Sequence, residues 1–188
     1  MRNGADRESD KSLLRQQFRE ERRVRFMDES WLHIVDSREF ATVKRVASYY
    51  SYGDEPTTID INAALIKRGV TLLLPRLLPD KDLEWVTWDG NENSLTTHGK
   101  IFEPHGFAMT DFDSIDCVIV PALRIDRAGN RLGQGGGSYD RALAKINGWK
   151  IALVHHGELT SEPFPVEAHD QKVDAAATPD LIARFARL

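Results

Sequence analysis

Ile115-Asp116-Cys117-Val118-Ile119-Val120-Pro121 is a short apolar run closed by proline, the pattern of a strand buried on both faces of a sheet. Soon after it comes Asp126-Arg127-Ala128-Gly129-Asn130-Arg131-Leu132-Gly133-Gln134-Gly135-Gly136-Gly137-Ser138-Tyr139-Asp140-Arg141, with five glycines, three arginines and two flanking aspartates. Tyr139 to Ile146 then reads as a helix, and Trp149 to His155, with Ile151, Leu153 and Val154, as a further strand. Strand, glycine-rich loop, helix, strand is the repeating unit of a parallel sheet. Such a loop leaves the sheet at its carboxyl edge, where ligands bind in open α/β folds.

The alternation continues outward. Ser9 or Asp10 can cap a helix to about Met27, with Leu13, Leu14, Phe18 and Val24 as a narrow apolar stripe among arginines and glutamates. Residues 1–9 read as a flexible leader. Ser30 caps a second predicted helix through Phe40. Thr42 to Ser51 reads as a strand, Gly53-Asp54-Glu55-Pro56 breaks it, and a helix from Thr57 or Thr58 ends at Gly69. Val70 to Leu74 is a strand stopped by Pro75, and Leu83 to Trp88 is another. The polar stretch through Gly99 reads as loop, and Glu103-Pro104-His105-Gly106 as a turn. Pro179 opens a predicted terminal helix through Phe185. The expectation is one α/β domain over residues 1–188, three layers (α/β/α) around a mostly parallel, doubly wound sheet.

The chain has 188 residues, 41% hydrophobic and 29% charged, with a formal net charge of −4. This suits a soluble globular protein with a sizeable core, and the negative balance argues against a general nucleic-acid binder. No stretch approaches the roughly 20 apolar residues that cross a bilayer, and the polar N-terminus lacks the apolar centre of a secretory signal. A cytoplasmic monomer without nucleic-acid or membrane partners is the expectation. Cys117 is the single cysteine, which excludes an intrachain disulfide and a cysteine-based zinc site. Within its apolar run it reads as a buried, inert thiol. His155 and His156 are neighbours on a predicted strand and so point to opposite faces, which argues against a shared ion.

The loop residues carry the chemistry. Glycines let backbone N–H groups approach an anion without a β-carbon in the way. Arginines supply forked, always-charged donors for phosphate oxygens, and aspartates supply the hard oxygens that magnesium accepts. The pattern is neither that of Walker loops, which end in Gly-Lys-Ser/Thr, nor the dinucleotide fingerprint.

Val120-Pro121-Ala122-Leu123-Arg124-Ile125-Asp126, Gly129 to Gly133 and Gly135 to Arg141 together resemble the signature of the 5-formyltetrahydrofolate cyclo-ligase (methenyltetrahydrofolate synthetase) family. Lys11, Leu14 and Arg15 fit the family's N-terminal Lys-x-x-Leu-Arg, and Gly53-Asp54-Glu55-Pro56-Thr57-Thr58 its acidic segment after the first strand. Pro75, Glu103-Pro104 and His169-Asp170-Gln171-Lys172-Val173-Asp174 fit three later features in the same order. The resemblance implies an ATP- and magnesium-dependent cyclisation of 5-formyltetrahydrofolate to 5,10-methenyltetrahydrofolate, with a phosphorylated formyl intermediate. ATP, reduced folate and Mg2+ are then the expected small-molecule partners. By the same resemblance Lys11 and Arg15 reach the ATP phosphates, and Arg131, with Arg15, stabilises the transferring phosphoryl group. Gly133, Gln134, Gly135, Gly136, Gly137, Ser138 and Tyr139 complete the nucleotide cradle. Asp140 and Asp174 hold magnesium, and Tyr52, Glu55 and Thr57 contact the folate.

Ser138 stands where the family usually has tyrosine, and Thr57 where it often has an acid. Trp85, Trp88 and Phe102 read either as walls of a pterin cleft or as core. A non-catalytic folate or nucleotide binder, and an ATP-using enzyme with a different small substrate, remain open beside the leading reading.

Overall fold

The computed structural model describes residues 4–25, 29–98 and 101–186. Its elements, in order, are α1 (Gly4–Arg25), β1 (Arg45–Ala47), α2 (Ile59–Lys67), β2 (Thr71–Leu77), β3 (Leu83–Trp88), β4 (Leu95–His98), β5 (Ile101–Pro104), β6 (Cys117–Pro121), β7 (Arg124–Asp126), β8 (Arg131–Leu132), α3 (Ser138–Leu143), β9 (Trp149–Leu153), β10 (Leu159–Thr160), β11 (Ala175–Ala177) and β12 (Ile182–Arg184). Seven strands form one sheet in the order β12-β11-β9-β6-β1-β2-β3. The five inner strands run parallel, and β3 and β12 close the edges antiparallel. This is the mostly parallel α/β sheet that the apolar runs foretell. β6 lies at its centre.

Successive strand residues feed opposite layers, because side chains alternate across a pleated strand. Val46, Leu72, Leu74, Cys117, Ile119, Ile151 and Leu153 pack with Ile61 and Leu65 of α2 and with Trp31, Ile34 and Phe40. Ala47, Leu73, Val118, Val120, Ala152 and Ala176 pack against Ala142, Leu143, Ile146 and Ile125. On this second side a small sheet, β10-β7-β8, lies under α1 and the glycine-rich loop. Cys117 is fully buried, and burial pushes its thiol well above the ordinary range. Among the described residues no helix is long and apolar enough to cross a membrane.

Several local expectations give way to tertiary pairing. The helix expected over Ser30–Phe40 is two 3-10 turns, Leu32–Asp36 and Arg38–Phe40, split by the extended Ser37. The long strand expected over Thr42–Ser51 shortens to β1, because the Tyr49 carbonyl accepts from Thr58 Oγ1 and Asn62 Nδ2 instead of a neighbouring strand. Pro75 does not stop β2. It pairs with Trp85, whose carbonyl faces the other way to accept from Met109 N–H. The missing N–H of Pro75 therefore points to the side where β1 has already ended.

The polar stretch before Gly99 contains β4, which forms a hairpin with β5. The turn expected at Glu103–Gly106 accordingly begins after Pro104. The terminal helix is absent. Ile182–Arg184 instead pairs antiparallel with β11, which would otherwise leave an open edge. Helix α1 begins at Gly4, inside the expected leader, and its inward stripe mixes Phe18, whose ring lies against Arg124, with charged residues. Lys11 and Arg22 are buried, whereas Leu13 and Val24 are exposed.

Candidate active site

A cavity of about 250 Å3 opens at the carboxyl ends of β1, β2 and β6. Tyr49, Tyr50, Tyr52 and Glu55 enter it from the chain after β1, Pro75 and Leu77 from β2, and Pro121 to Leu123 from β6 and its extension. This is the edge to which the central strand and its glycine-rich loop assign a ligand.

One end is cationic. Lys11, Arg15, Phe18 and Arg22 recur at helical spacing, so they share one face of α1. Lys11 Nζ lies 2.8 Å from Glu167 and 2.6 Å from Asp170. Burial lowers its pKa, but the bonds to Asp170 and Glu167 outweigh burial and raise it overall, so the ammonium stays charged. For Asp170, burial raises the pKa, while the Glu167 N–H and Lys11 together bring it below the ordinary range. Arg15 lies along the loop: a β-carbon built on Gly135 would be 3.3 Å from its guanidinium. Arg19 donates to Gln134 at 3.3 Å, so α1 grips the loop at a second point.

Arg131 is buried, on β8. Its Nη2 donates to Asp140 at 3.0 Å, and its Nη1 donates to the Pro121 carbonyl at 3.3 Å. The guanidinium sits 5.5 Å from the Tyr139 ring centroid, within cation–π reach. Gly133 passes so close that a β-carbon there would lie 2.5 Å from Arg131 Nη1. Gly135 holds φ +104°, open to glycine and strained for other residues. The helix after the loop, α3, spans six residues where Tyr139–Ile146 is expected. Its short dipole gives little, so the loop N–H groups and the arginines carry the anion-binding capacity.

The other end is aromatic and apolar. Tyr50 and Phe102 meet at a tilt of 56° with ring centroids 5.0 Å apart, and Ile101, Leu77, Leu83 and Pro75 extend the wall. The Tyr50 hydroxyl donates to Glu92 at 2.7 Å, and Trp88 meets its ring edge-on. Trp85 and Trp88 are core, and Phe102 lines the cavity.

Glu55 and Arg22 stand at the wall between the ends. Burial pushes the Glu55 carboxyl up to about 7, against the lowering effects of the Tyr52 N–H and of Arg22. Near neutrality it can therefore donate or accept a hydrogen bond. Arg22 forms a buried two-pronged pair with Glu158, at 2.8 and 2.6 Å, and donates to the Ala122 carbonyl at 2.5 Å.

The cavity thus gathers Lys11, Arg15, Tyr52, Glu55, Arg131, Gly133 to Tyr139 and Asp140. It does not gather Thr57, whose neighbour Thr58 turns inward to bond the Tyr49 carbonyl. Nor does it gather Asp174. That carboxylate accepts from Lys150 N–H at 2.8 Å, at the start of β9 and hence at the opposite edge of the sheet. Arg22, Tyr50, Glu167 and Asp170 line the cavity without having been singled out in the sequence. The helical spacing of Lys11, Arg15, Phe18 and Arg22 was the available signal for Arg22. Asp170 stood inside the recognised C-terminal segment, four residues before the aspartate chosen there.

Comparison with known proteins gives the family. The model of the 5-formyltetrahydrofolate cyclo-ligase family matches residues 7–179. The 5-formyltetrahydrofolate cyclo-ligase of Mycolicibacterium smegmatis is 32% identical over 144 residues, covering 72% of this chain and 74% of that protein. The Escherichia coli K12 enzyme of the same name is 29% identical over 144 residues, covering 73% and 79%. The NMR structure of Aquifex aeolicus 5,10-methenyltetrahydrofolate synthetase superposes with a TM-score of 0.79 at 25% identity, covering 94% of this chain and 93% of that one. The chain belongs to the 5-formyltetrahydrofolate cyclo-ligase family.

Proposed function

We propose that this protein converts 5-formyltetrahydrofolate and ATP into 5,10-methenyltetrahydrofolate, ADP and phosphate. One observation carries the reading: a single cavity joins a glycine-and-arginine end, suited to phosphates, to an aromatic end suited to a pterin. A formamide oxygen is a poor leaving group. The γ-phosphoryl group of ATP passes to that oxygen, and ADP departs. Nitrogen-10 of the folate then attacks the formyl carbon, closing the ring, and the carbon–oxygen bond breaks to release phosphate, which takes up the proton that nitrogen-10 loses.

Phosphoryl transfer depends mainly on alignment and charge neutralisation. Lys11, Arg15 and the loop from Gly133 to Gly137 bind the triphosphate and orient it. Arg131, fixed by Asp140 and the Pro121 carbonyl, places its guanidinium where charge develops. Glu55 and the Tyr52 turn hold polar edges of the folate, and Tyr50 and Phe102 cover its ring. Magnesium would neutralise phosphate oxygens. Asp140, Asp170 and Glu167 provide hard carboxylate oxygens in the lining that fit such an ion. The reading takes a single domain and a single protomer as the catalytic unit.

The test is direct. Purified protein with ATP, magnesium and 5-formyltetrahydrofolate is followed by the absorbance of methenyltetrahydrofolate. Product formation that needs all three supports the reading. A folded protein that binds ATP and yields no product would refute it.

A further inference from the structure

Behind the wall of Glu55 and Arg22 lies a cluster that the proposed reaction leaves unused. Glu29 is nearly buried, and its carboxylate meets two imidazoles: His155 Nδ1 at 2.7 Å on one oxygen and His156 Nδ1 at 2.6 Å on the other. Strand alternation had set these histidines on opposite faces. In the folded chain β9 ends at Leu153, so both rings can turn toward one carboxylate. The second nitrogen of His155 lies 3.0 Å from the Asp54 carbonyl oxygen, and that of His156 bonds the Asp180 carboxylate. Trp31 packs edge-on against the His155 ring at 5.1 Å.

Hydrogen-bond valence fixes the protonation that this geometry requires. A carbonyl oxygen only accepts, and an ionised carboxylate only accepts. A neutral imidazole carries a single N–H and can serve one such neighbour. His155 satisfies both Glu29 and Asp54 only as an imidazolium, and the same holds for His156 between Glu29 and Asp180. For His156 the bonds to Asp180 and then Glu29 raise the pKa, in keeping with this state.

What His155 touches is the cavity wall. The Asp54 carbonyl belongs to the same peptide unit as the Glu55 N–H, which donates to the Tyr52 carbonyl at 3.2 Å and closes a turn around Gly53, at φ +58°. The backbone N–H of His155 donates at 2.8 Å to Glu158, the carboxylate that anchors Arg22. One residue pins two parts of the wall.

We propose that His155, held doubly protonated by Glu29, is a positioning residue for the reduced-folate wall. The proton donated from Nε2 to the Asp54 carbonyl fixes the Tyr52–Glu55 turn. This rests on reading Glu55 as a substrate contact. The charged groups that face the two rings are Glu29, Glu158 and Asp180, with Arg22 beyond Glu158.

The test compares wild type with His155→Leu, which cannot bond the Asp54 carbonyl, and with His155→Gln, whose side-chain amide keeps a donor. The expected result is a folate KM raised about tenfold in His155→Leu, on the scale of one charge-assisted hydrogen bond, with the ATP KM moving less than about twofold and the folate KM largely recovered in His155→Gln. An unchanged folate KM in His155→Leu, no recovery in His155→Gln, or both KM values rising together overturns the proposal.

A second measurement does not depend on variant folding or on turnover. In protein labelled with 15N-histidine, with His155→Gln used to assign the signal, His155 should show two ring N–H groups near pH 6.5. A single N–H there overturns the clamp. If the protein proves inactive, the cyclo-ligase reading fails, and the labelled histidine still decides whether the clamp exists.

Discussion

The two ends of the cavity are built on different principles. The cationic end is assembled from distant pieces, α1, β8, the glycine-rich loop and the segment around Asp170, each locked to another by charge. The aromatic end is a continuous wall from β2, β3 and the β4–β5 hairpin, held by ring packing and sheet contacts. Preorganised charge acts on the transition state, whereas an apolar wall acts on binding in the ground and transition states alike. Damage at the first end should therefore appear in kcat. Damage at the second should appear in KM.

The largest expected effect is that of Arg131→Ala. Loss of a preorganised donor to developing charge typically costs about 10²–10³ in turnover. The folate KM should stay within about twofold of wild type, since uniform binding is untouched. Steady-state kinetics of methenyltetrahydrofolate formation check both numbers. A variant that keeps its kcat removes Arg131 from the chemistry and breaks the contrast between the ends. Phe102→Ala should do the reverse. Removing the ring that packs at a tilt against Tyr50, 5.0 Å away, should raise the folate KM about fivefold, in line with the worth of one aromatic contact, and leave the ATP KM alone. A comparable rise in the ATP KM would merge the two ends into one.

Glu55 sharpens the boundary through stability instead of rate. Its folded-state carboxyl is raised to about 7 from the ordinary 4.5, so the neutral acid is the form the fold favours. The associated stability is complete below pH 4.5 and is lost as the pH rises through 7. Glutamine is neutral at every pH. Glu55→Gln should thus match wild type near pH 4.5 and melt a few degrees higher at about pH 8, at roughly 2–4 °C per kcal/mol for a chain of this size. Thermal melts at both pH values without ligand are sufficient. A gain at the acid end instead would reverse the sign assigned to burial. The same variant should bind folate less well, so stability and function are set against each other at this residue.

The legible parts of the molecule are those whose cause is local. β6, β3 and the glycine-rich loop announce themselves because an apolar run and a cluster of glycines need no partner to be read. What escaped depends on the rest of the fold. Ile182–Arg184 follows a proline and looks like a helix start, yet β11 offers an open edge and takes it as a strand. The inward face of α1 was sought in Leu13, Leu14, Phe18 and Val24, of which Phe18 does pack inward against Arg124, but much of the space beneath the helix is the cationic end of the cavity. There the rule that apolar means inside inverts, and Lys11, Arg15 and Arg22 face in. The role of His155 was hidden for a related reason, since only the folded chain shows that its strand has ended.

Asp174 is the plainest instance, and it gives the smallest expected effect. The chain passes Asp170 at the cavity and then crosses to begin β11 at the far edge of the sheet. Asp170 lines the cavity and Asp174 does not, so the two carboxylates face different edges of the sheet. Asp174 instead receives the Lys150 N–H at the start of β9. In Asp174→Asn the magnesium concentration for half-maximal activity should stay within about twofold of wild type, because the side-chain oxygen that accepts this bond is kept. Asp140→Asn should raise it by about tenfold or more, the loss expected when a charged ligand becomes a neutral one. If the two variants shift the magnesium requirement equally, the metal does not lie at the cationic end, and the division of labour within the cavity has to be redrawn from the opposite edge of the sheet.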